Sequence, residues 1–388
     1  MKATEIGGLA DFAAQEQVDL TVVGPEVPLA AGIVDIFNQR ALRIVGPARE
    51  AARLESSKAF AKDFMKRHGI PTAGYRVVES PEEALAILRS GEFGAPSTPV
   101  VIKADGLAAG KGVIVASSRE EAEAAVRELT TGAIDTDAIR KIVIEEALSG
   151  LELSLLLFSD GRDFRVMPAA RDHKRLGEGD TGPNTGGMGS ITDANIISES
   201  ALSQILNTIV KPTLAGARDD GYPFRGILFI GLMMTAEGAK VLEYNVRFGD
   251  PETQAILVRL RSDLVEICEA IATERLSEIQ VDWSRESSAC VVLAERGYPQ
   301  KPQTGARIEG LDRAMKHRGV SIFHAATERR ENGDWLTAGG RVLGVTAVGD
   351  NLDQALSRCY GAVSEIRWNG MQFRRDIGRP PAIGRTMA

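Results

Sequence analysis

Two short apolar runs separated by a helical segment near the start of the chain restrict the fold most strongly. The runs are 18–23 (Val-Asp-Leu-Thr-Val-Val) and 42–45 (Leu-Arg-Ile-Val), and residues 28–40 between them have apolar side chains at helical spacing. Parallel neighbouring strands need such a crossover connection, so the pattern predicts a parallel sheet. The expected fold class for this end of the chain is α/β.

The first predicted strand is followed by Gly24-Pro25-Glu26. Open α/β sheets bind ligands beyond the carboxyl ends of their strands, so these three residues are candidates for substrate binding. A turn that only ends the strand explains them equally, and is the simpler interpretation of the local pattern. The chain opens with a predicted helix at 6–17, whereas such sheets usually begin with a strand and a glycine-rich turn. We therefore expect the first strand to be missing.

Length and composition limit the class of protein. At 388 residues the chain exceeds one ordinary core, which predicts about two to four lobes. A net charge of −7 disfavours a nucleic-acid surface. No apolar run approaches a membrane span and no signal-peptide layout is present, so we expect a cytoplasmic protein without a membrane partner. Cys268, Cys290 and Cys359 lie too far apart for a thiolate metal site and are expected in the core.

Polar residues alternate along an apolar run at 240–247, where Glu243, Asn245 and Arg247 occupy every second position. In a strand, alternate side chains share one face. An acid and an amide there suit Mg²⁺, which completes its shell with phosphate and water, and Arg247 could hold phosphoryl oxygens. An edge strand with a solvated polar face remains the alternative. The run is predicted to pair with a strand at 226–235, which contains no acid.

A glycine-rich turn follows a predicted strand at 100–103. It reads Lys103-Ala-Asp-Gly-Leu-Ala-Ala-Gly-Lys-Gly, and includes Gly110, Lys111 and Gly112. In a Walker loop, four residues separate the first glycine from the Gly-Lys pair, a Ser or Thr follows, and the loop opens a helix. Here three residues separate Gly106 from Gly110-Lys111, Gly112 follows, and the turn is predicted to join two strands. A flap whose backbone N–H groups and lysines bind phosphates fits better. The alternative is a tight hairpin with unrelated lysines.

Residues 171–190 begin with four charges and a histidine, continue with many glycines, and are predicted to form a long loop. Loops of this length are usually functional or disordered. Asp172 and Lys174 could bind a zwitterion through its ammonium and its carboxylate. His173 has no second imidazole at ligand spacing, so zinc is not expected.

The other predicted elements complete an alternating α and β pattern. A helix at 56–68 begins at Ser56 or Ser57, and its Lys58 and Lys62 are most simply solvated charges. The remaining segments are strands at 113–116, 142–145, 153–158, 289–294, 321–325 and 340–348, and helices beginning at 117, 198–219, 262–275 and 352–366.

Together these residues resemble the phosphoribosylamine–glycine ligase family of purine biosynthesis, an ATP-grasp family. The stretch Arg-Phe-Gly-Asp-Pro-Glu-Thr-Gln at 247–254 is highly specific for it, and the resemblance extends over about 19–378. It implies α/β and α+β domains: an N-terminal Rossmann-like lobe at 1–58, an ATP-grasp domain at 59–255 with its flap at about 75–148, a connecting helical segment at 256–287 and a C-terminal α+β domain at 288–388.

The resemblance also implies a role for individual residues. Lys58 and Lys103 match the lysines that hold the ATP phosphates, which replaces the solvated-charge interpretation of Lys58. Glu243 and Asn245 correspond to the ligands of Mg²⁺ or Mn²⁺, and Arg247 to the cation at the transferred phosphate. The other implied positions are Glu145, Ala147, Leu148 and Glu152 for adenine and ribose, and Gly186 and Gly187 with Asp172 and Lys174 for substrate. The family usually has two adjacent acids at 151–152, whereas this chain has Leu151-Glu152.

The implied reaction joins glycine to 5-phosphoribosylamine with ATP through glycyl phosphate, and we expect a monomer. The family has a strand and a Gly-Gly-Arg-Glu-His turn before the position of Met1. Their expected absence leaves a second hypothesis, an ATP-binding but inactive homologue. A third, a carboxylase-like ATP-grasp ligase, would normally place another acid on the strand before Glu243.

Overall fold

The computed structural model describes residues 1–107, 112–130 and 141–379. The chain divides into two units, each built from segments that are separate in sequence. Unit 1 comprises Met1–Val166, Glu199–Phe248 and Leu264–Gln280, and unit 2 comprises Met167–Ser198, Gly249–Asp263 and Val281–Ala388. None of the helices in the described ranges has both the length and the apolar character that a bilayer span requires.

The regular elements of both units are numbered in chain order. The helices are α1 (Ile6–Gln15), α2 (Glu26–Ala30), α3 (Ile33–Gln39), α4 (Arg49–Ser56), α5 (Lys58–Arg67), α6 (Pro81–Arg89), α7 (Arg119–Thr130), α8 (Glu199–Ile205), α9 (Lys211–Asp219), α10 (Glu252–Leu257), α11 (Leu264–Ala272), α12 (Leu311–Ala314) and α13 (Leu352–Val363). A π-helical segment at Leu206–Val210 joins α8 to α9.

The strands alternate with these helices. They are β1 (Thr21–Val22), β2 (Ile44–Val45), β3 (Tyr75–Val78), β4 (Val100–Ala104), β5 (Val113–Ala116), β6 (Ile142–Glu146), β7 (Leu151–Asp160), β8 (Phe164–Val166), β9 (Ala170–Asp172), β10 (Arg175–Gly177), β11 (Thr181–Asn184), β12 (Gly189–Thr192), β13 (Arg225–Thr235), β14 (Gly238–Asn245), β15 (Ser287–Ala294), β16 (Arg307–Ile308), β17 (Val320–His324), β18 (Thr327–Arg329), β19 (Trp335–Thr337) and β20 (Arg341–Gly349).

The amino-terminal part of unit 1 is a parallel pair of strands with short helices around it. β1 pairs with β2 in parallel, which confirms the predicted strand–helix–strand unit. The single helix predicted over 28–40 is wrong, because the connection contains both α2 and α3. Gly32 separates them with a φ of +89°, a conformation that favours glycine and that interrupts a helix.

A four-stranded antiparallel sheet forms the next part of unit 1. Its strand order is β3-β6-β4-β5, and α6 and α7 pack on it. The apolar side chains between the helices and the sheet, among them Leu88, Ile102 and Val126, are fully buried. β4 and β5 are antiparallel neighbours, as the strand-to-strand interpretation of the glycine-rich turn requires. Within that turn, Gly110 and Lys111 lie outside the described residues.

The third part of unit 1 is an antiparallel sheet in which β13 pairs with both β7 and β14. The predicted hairpin of β13 and β14 is confirmed. Its register shifts by one residue: Gly231 lies opposite Glu243, whereas Leu232 lies opposite Val241, so Leu242 is the extra residue of a bulge. The hairpin therefore bends at the position where the polar residues begin.

Unit 2 is built on an antiparallel sheet with strand order β9-β12-β15-β20-β17. α13 packs on β15 and β20 and buries an apolar core that includes Val345 and Cys359. The strands and the helix predicted after residue 288 are confirmed.

The loop predicted over 171–190 is wrong, because these residues form β9 to β12, of which β10 and β11 pair as a hairpin. Main-chain pairing, with Asp172 opposite Ser190, orders a segment whose side chains carry no apolar pattern.

Candidate active site

Three charged side chains are buried together between α5 and the four-stranded sheet of unit 1. The carboxylate of Glu145 on β6 lies 2.9 Å from the ammonium of Lys62 and 2.9 Å from that of Lys103 on β4. Lys62 also donates to Thr72 Oγ1 at 2.7 Å, and Lys103 donates to the carbonyl of Leu242 at 3.2 Å. The interpretation of Lys62 as a solvated charge is wrong, since its side chain is 2% exposed.

Burial affects the protonation of Lys62. It lowers the pKa of Lys62 to about 8, although the adjacent Glu145 carboxylate favours the charged form. Three charges packed together are tolerated only if each finds a partner, because an unpaired buried charge is costly. Glu145 therefore has a structural role as the common partner of two lysines, and it fixes the direction of Lys103.

Lys58 lies at the first turn of α5, half-buried, and donates from Nζ to the carbonyl of Gly106 at 3.1 Å. Ser57 is the N-cap, as predicted, and its hydroxyl accepts from the Phe60 N–H. Asp105 accepts from Ser57 Oγ at 3.2 Å and from the Ala59 N–H at 3.1 Å. The start of α5 thus contacts the turn that follows β4, so the Lys58 amine and the glycine-rich turn are neighbours.

Burial lowers the pKa of Lys58, and the carboxylate of Glu243 is the largest influence in the opposite direction. The ammonium of Lys103 also lowers it. Lys58, Lys103 and Glu243 therefore share one electrostatic environment. Lys103 also donates to the carbonyl of Leu242, the residue before Glu243, and two cations near one acid are suited to a polyphosphate with a metal ion.

Of the three residues of the predicted polar wall, Glu243 and Asn245 lie on β14, whereas Arg247 follows the strand. Glu243 and Asn245 lie two residues apart on β14, and both are half-buried. Arg247 lies just beyond the strand end and is held by other contacts. Its guanidinium is 3.0 Å from Glu55 and 3.4 Å from Glu26, and it donates to the Phe248 carbonyl at 3.0 Å.

Glu55, at the end of α4, is a site residue that the sequence reasoning missed. It accepts from the Val246 N–H at 2.7 Å while it pairs with Arg247. Burial raises the pKa of this carboxyl to about 7, against the effects of the Arg247 cation and the Val246 N–H. A carboxyl 191 residues away in sequence from its backbone partner leaves no local signal.

The segment Gly24-Pro25-Glu26 joins the site through its last residue. Pro25 is the N-cap of α2, and Glu26 begins that helix and reaches Arg247. Gly24 and Pro25 are exposed. The turn interpretation and the site interpretation are therefore compatible, since the turn places Glu26 beside Arg247.

Two side chains of β14 offer oxygen ligands at the expected metal position. Glu243 offers a carboxylate, and Asn245 offers an amide oxygen whose contact with the Arg247 guanidinium is long, at 3.4 Å. No group of three or more His, Cys, Asp or Glu side chains arranged for a metal occurs in the described parts of the chain. One acid and one amide fit Mg²⁺ or Mn²⁺ whose remaining ligands are phosphate and water.

The residues expected to contact adenine and ribose follow β6. Ala147 and Leu148 are half-buried just after the strand, and Glu152 is exposed on β7 opposite Met233. Glu145 itself is occupied by the two lysines. Gly112 is buried, and its carbonyl accepts from the Ala104 N–H at 2.8 Å.

The residues expected to bind substrate at 172–187 lie in unit 2. Asp172 accepts from the His173 N–H at 2.7 Å, and the Lys174 carbonyl accepts from the Thr185 N–H at 2.8 Å. Gly187 has a φ of +105°, and a Cβ added there would lie 2.7 Å from Asp172 Oδ1. Only glycine therefore fits beside this carboxylate.

Gly186 is fixed by side chains from the same unit. Its N–H donates to the Tyr298 hydroxyl at 2.9 Å, and its carbonyl accepts from Arg341. Arg341 also donates to the Asp250 carbonyl at 2.8 Å. The family-specific stretch at 247–254 continues into α10, which begins at Glu252.

Comparison with known families gives one consistent result across the chain. The description phosphoribosylglycinamide synthetase applies to all three matching domain models: the N domain at 1–55, the ATP-grasp (A) domain at 56–253 and the C domain at 288–380. A phosphoribosylamine–glycine ligase from Xylella fastidiosa is 48% identical over 379 residues, which are 97% of this chain and 86% of the relative. One from Pseudomonas aeruginosa is 48% identical over 371 residues, covering 95% and 85%.

Solved structures agree with these relatives. The crystal structure of phosphoribosylamine–glycine ligase from Thermotoga maritima is 37% identical, with a TM-score of 0.76 over 86% of this chain and 81% of that one. A biotin carboxylase from Campylobacter jejuni matches with a TM-score of 0.72 at 16% identity, over 95% of this chain and 79% of that one, and shows the fold alone. The chain has the ATP-grasp fold and belongs to the phosphoribosylamine–glycine ligase family of carbon–nitrogen ligases.

Proposed function

We propose that the chain joins glycine to 5-phosphoribosylamine at the expense of ATP, giving glycinamide ribonucleotide, ADP and phosphate. The observation that carries the proposal is that Lys103 donates to the Leu242 carbonyl, next to Glu243 on β14, while Lys58 donates to the Gly106 carbonyl in the turn after the strand of Lys103. Relatives of this chain with 46–48% identity carry the name of that ligase. The enzyme is expected to act as a monomer in the cytoplasm.

ATP would bind between the two lysines and the segment after β6. Lys58 and Lys103 would hold the phosphates, and the backbone N–H groups of Gly110, Lys111 and Gly112 would be further donors to them. Ala147 and Leu148 would contact adenine, Glu152 would accept from a ribose hydroxyl, and Glu145 would hold Lys103 in place.

Glu243 and Asn245 would hold Mg²⁺ or Mn²⁺ bound to the nucleotide. When bound, the ion supplies positive charge to the phosphate oxygens. Arg247 would contact the oxygens of the transferred phosphoryl group, and its bond to Glu55 fixes the guanidinium in advance. Preorganised cations of this kind stabilise the charge that develops during phosphoryl transfer.

The chemistry would proceed in two displacements. The carboxylate of glycine attacks the γ-phosphorus of ATP, forming a new P–O bond and releasing ADP as the bond to the β-phosphate oxygen breaks. The amine of phosphoribosylamine then attacks the acyl carbon of glycyl phosphate, loses a proton and expels phosphate. The residues contribute by positioning and charge neutralisation, so the reaction requires no covalent enzyme intermediate.

The substrate residues complete the proposal. Asp172 would bind the ammonium of glycine and Lys174 its carboxylate, with Gly186 and Gly187 leaving room beside them. The turn at Gly24-Pro25-Glu26 would contact phosphoribosylamine. The functional division would follow the domain boundaries at 58, 255 and 287 that the sequence predicts.

ADP release measured with each co-substrate omitted in turn tests the function. The proposal expects ADP to appear only with glycine and phosphoribosylamine together, and mass spectrometry to detect glycinamide ribonucleotide. Binding of MgATP by calorimetry without any product would instead identify an inactive homologue. ADP release that responds to bicarbonate and not to glycine would indicate a carboxylase-like ligase.

A further inference from the structure

A buried arginine near the end of the described chain fixes the hairpin of β10 and β11. Arg374 is 2% exposed and donates to both carboxylate oxygens of Asp376 at 2.8 Å. It also donates from one nitrogen to Asp180 at 2.7 Å and to the Arg175 carbonyl at 3.0 Å. Asp376 in turn accepts from the Gly179 N–H at 2.8 Å. β10, through Arg175, and the turn of the hairpin, through Gly179 and Asp180, are therefore tied to one short segment.

The same segment reaches the residue beside Asp172. The Gly378 N–H donates to Nε2 of His173 at 3.1 Å, while Nδ1 of that ring lies 3.2 Å from the Gly189 carbonyl. Nε2 must be the unprotonated acceptor, so Nδ1 carries the proton and donates to Gly189. Burial of the ring is consistent with this neutral form and lowers the pKa of His173 to about 4.

Other contacts of the hairpin lie at its surface, among them the Arg375 N–H to Glu178 and the Arg175 guanidinium to the Gly182 carbonyl. All four residues of β11 are exposed, and β10 pairs with β11 through an irregular register. An isolated two-stranded hairpin is marginally stable in water. The bidentate ion pair of Arg374 is suited to this task, because a planar guanidinium fixes both distance and direction.

We infer that Arg374 is a positioning residue for the glycine site: through Asp376, Asp180 and the Arg175 carbonyl it holds the hairpin between Asp172–Lys174 and Gly186–Gly187 in its binding geometry. This inference rests on the proposed function, because it assumes that those residues bind glycine. It extends that function by assigning a role to residues 374–378, which contribute no group to the proposed chemistry.

Steady-state kinetics of Arg374→Lys, compared with Arg375→Lys, tests the inference. Lysine retains the charge of Arg374 and loses the bidentate bond. The KM of the Arg374→Lys variant for glycine should rise about tenfold or more, because small displacements of binding groups are costly. Its KM for ATP should change by less than about twofold. Arg375 is the matched control: its side chain is 72% exposed and lies 3.7 Å from Glu178, and its replacement should leave both KM values unchanged.

Hydrogen exchange provides a readout that does not depend on activity. Peptides covering 175–187 should exchange faster in Arg374→Lys, with unit 1 unaffected. An equal rise of both KM values, or no rise for glycine, would overturn the inference. If Arg374→Lys does not fold, Asp376→Asn replaces it with the same expected direction, and failure of both to fold would also count against a positioning role. A wild-type protein that makes no product would refute the proposed function alone, since exchange still reports whether Arg374 orders the hairpin.

Discussion

Lys103 Nζ and Glu145 Oε1 lie 2.9 Å apart on neighbouring strands, with 8% and 2% of their side chains exposed. Glu145 thus fixes the direction of the Lys103 side chain. Replacing Lys103 with alanine should reduce kcat/KM for ATP by about a hundredfold or more, because a preorganised cation at the phosphates is lost. Lys141→Ala, a control at an exposed ion pair with Glu79, should have normal kinetics. Normal kinetics for Lys103→Ala would contradict a role at the phosphates.

Lys62 has a structural role that its burial makes measurable. Lys62→Met leaves Glu145 with one cation instead of two and should lower the free energy of unfolding by about 3 kcal/mol, as when a buried pair loses a partner. Chemical denaturation measures this loss. Lys66→Met, on the exposed side of the same helix, should change it by less than about 0.5 kcal/mol. A double variant with Glu145→Gln should recover part of the loss, because no buried carboxylate remains.

Glu243 should determine the requirement for divalent metal. Glu243→Gln removes the charge and retains the shape, and should raise the Mg²⁺ concentration for half-maximal activity by about tenfold or more. Glu237→Gln is the matched control, since Glu237 lies in the turn of the same hairpin and bonds Thr235. An unchanged Mg²⁺ titration would remove Glu243 from the metal site.

Gly187 should not tolerate a side chain. Gly187→Ala places a methyl group against Asp172 and Pro251 in a left-handed conformation, and should destabilise unit 2 by about 2 kcal/mol or more. Gly179→Ala separates the two causes, because Gly179 also has positive φ, +67°, but has open space around its Cα. Its cost should be about 1 kcal/mol. Thermal unfolding of the two variants would show equal shifts if backbone strain alone mattered.

His173 should make stability depend on pH in a defined direction. Its pKa is about 4 in the folded chain against 6.5 for the free side chain. Between these values the unfolded chain binds more protons, so stability is fully present above pH 6.5 and falls as the pH drops towards 4. The loss is up to about 3 kcal/mol. His173→Gln should lose less stability than the wild type over this range, and identical pH profiles of the melting temperature would contradict the assignment.

Local patterns were sufficient for most of the elements. The β13–β14 hairpin, the start of α5 at Ser57 and the parallel pairing of β1 with β2 all follow from periodicity, capping residues and crossover length. α2 and α3 were merged because apolar spacing continues across Gly32, whose positive φ is a property of the folded backbone. β10 and β11 were missed because polar contacts and not apolar side chains order them.

For the candidate site, too, prediction succeeded where the signal is local in sequence and failed where it is not. Glu243, Asn245 and Lys103 could be found because their spacing on strands is local. Lys62 and Glu55 could not, since each depends on a partner that is distant in sequence: Glu145 for Lys62, and the Val246 N–H for Glu55. A lysine on an amphipathic helix looks the same whether its ammonium is solvated or buried.

The long sequence separation between Asp180 and Arg374 sets an order of events during synthesis. These residues are 194 positions apart, so a ribosome that adds about 5–20 residues per second needs about 10–40 seconds between them. For that interval Asp180 of the nascent chain cannot form its ion pair with Arg374. A truncated translation product that ends before Arg374 would therefore carry the strands of unit 2 and lack an ordered hairpin.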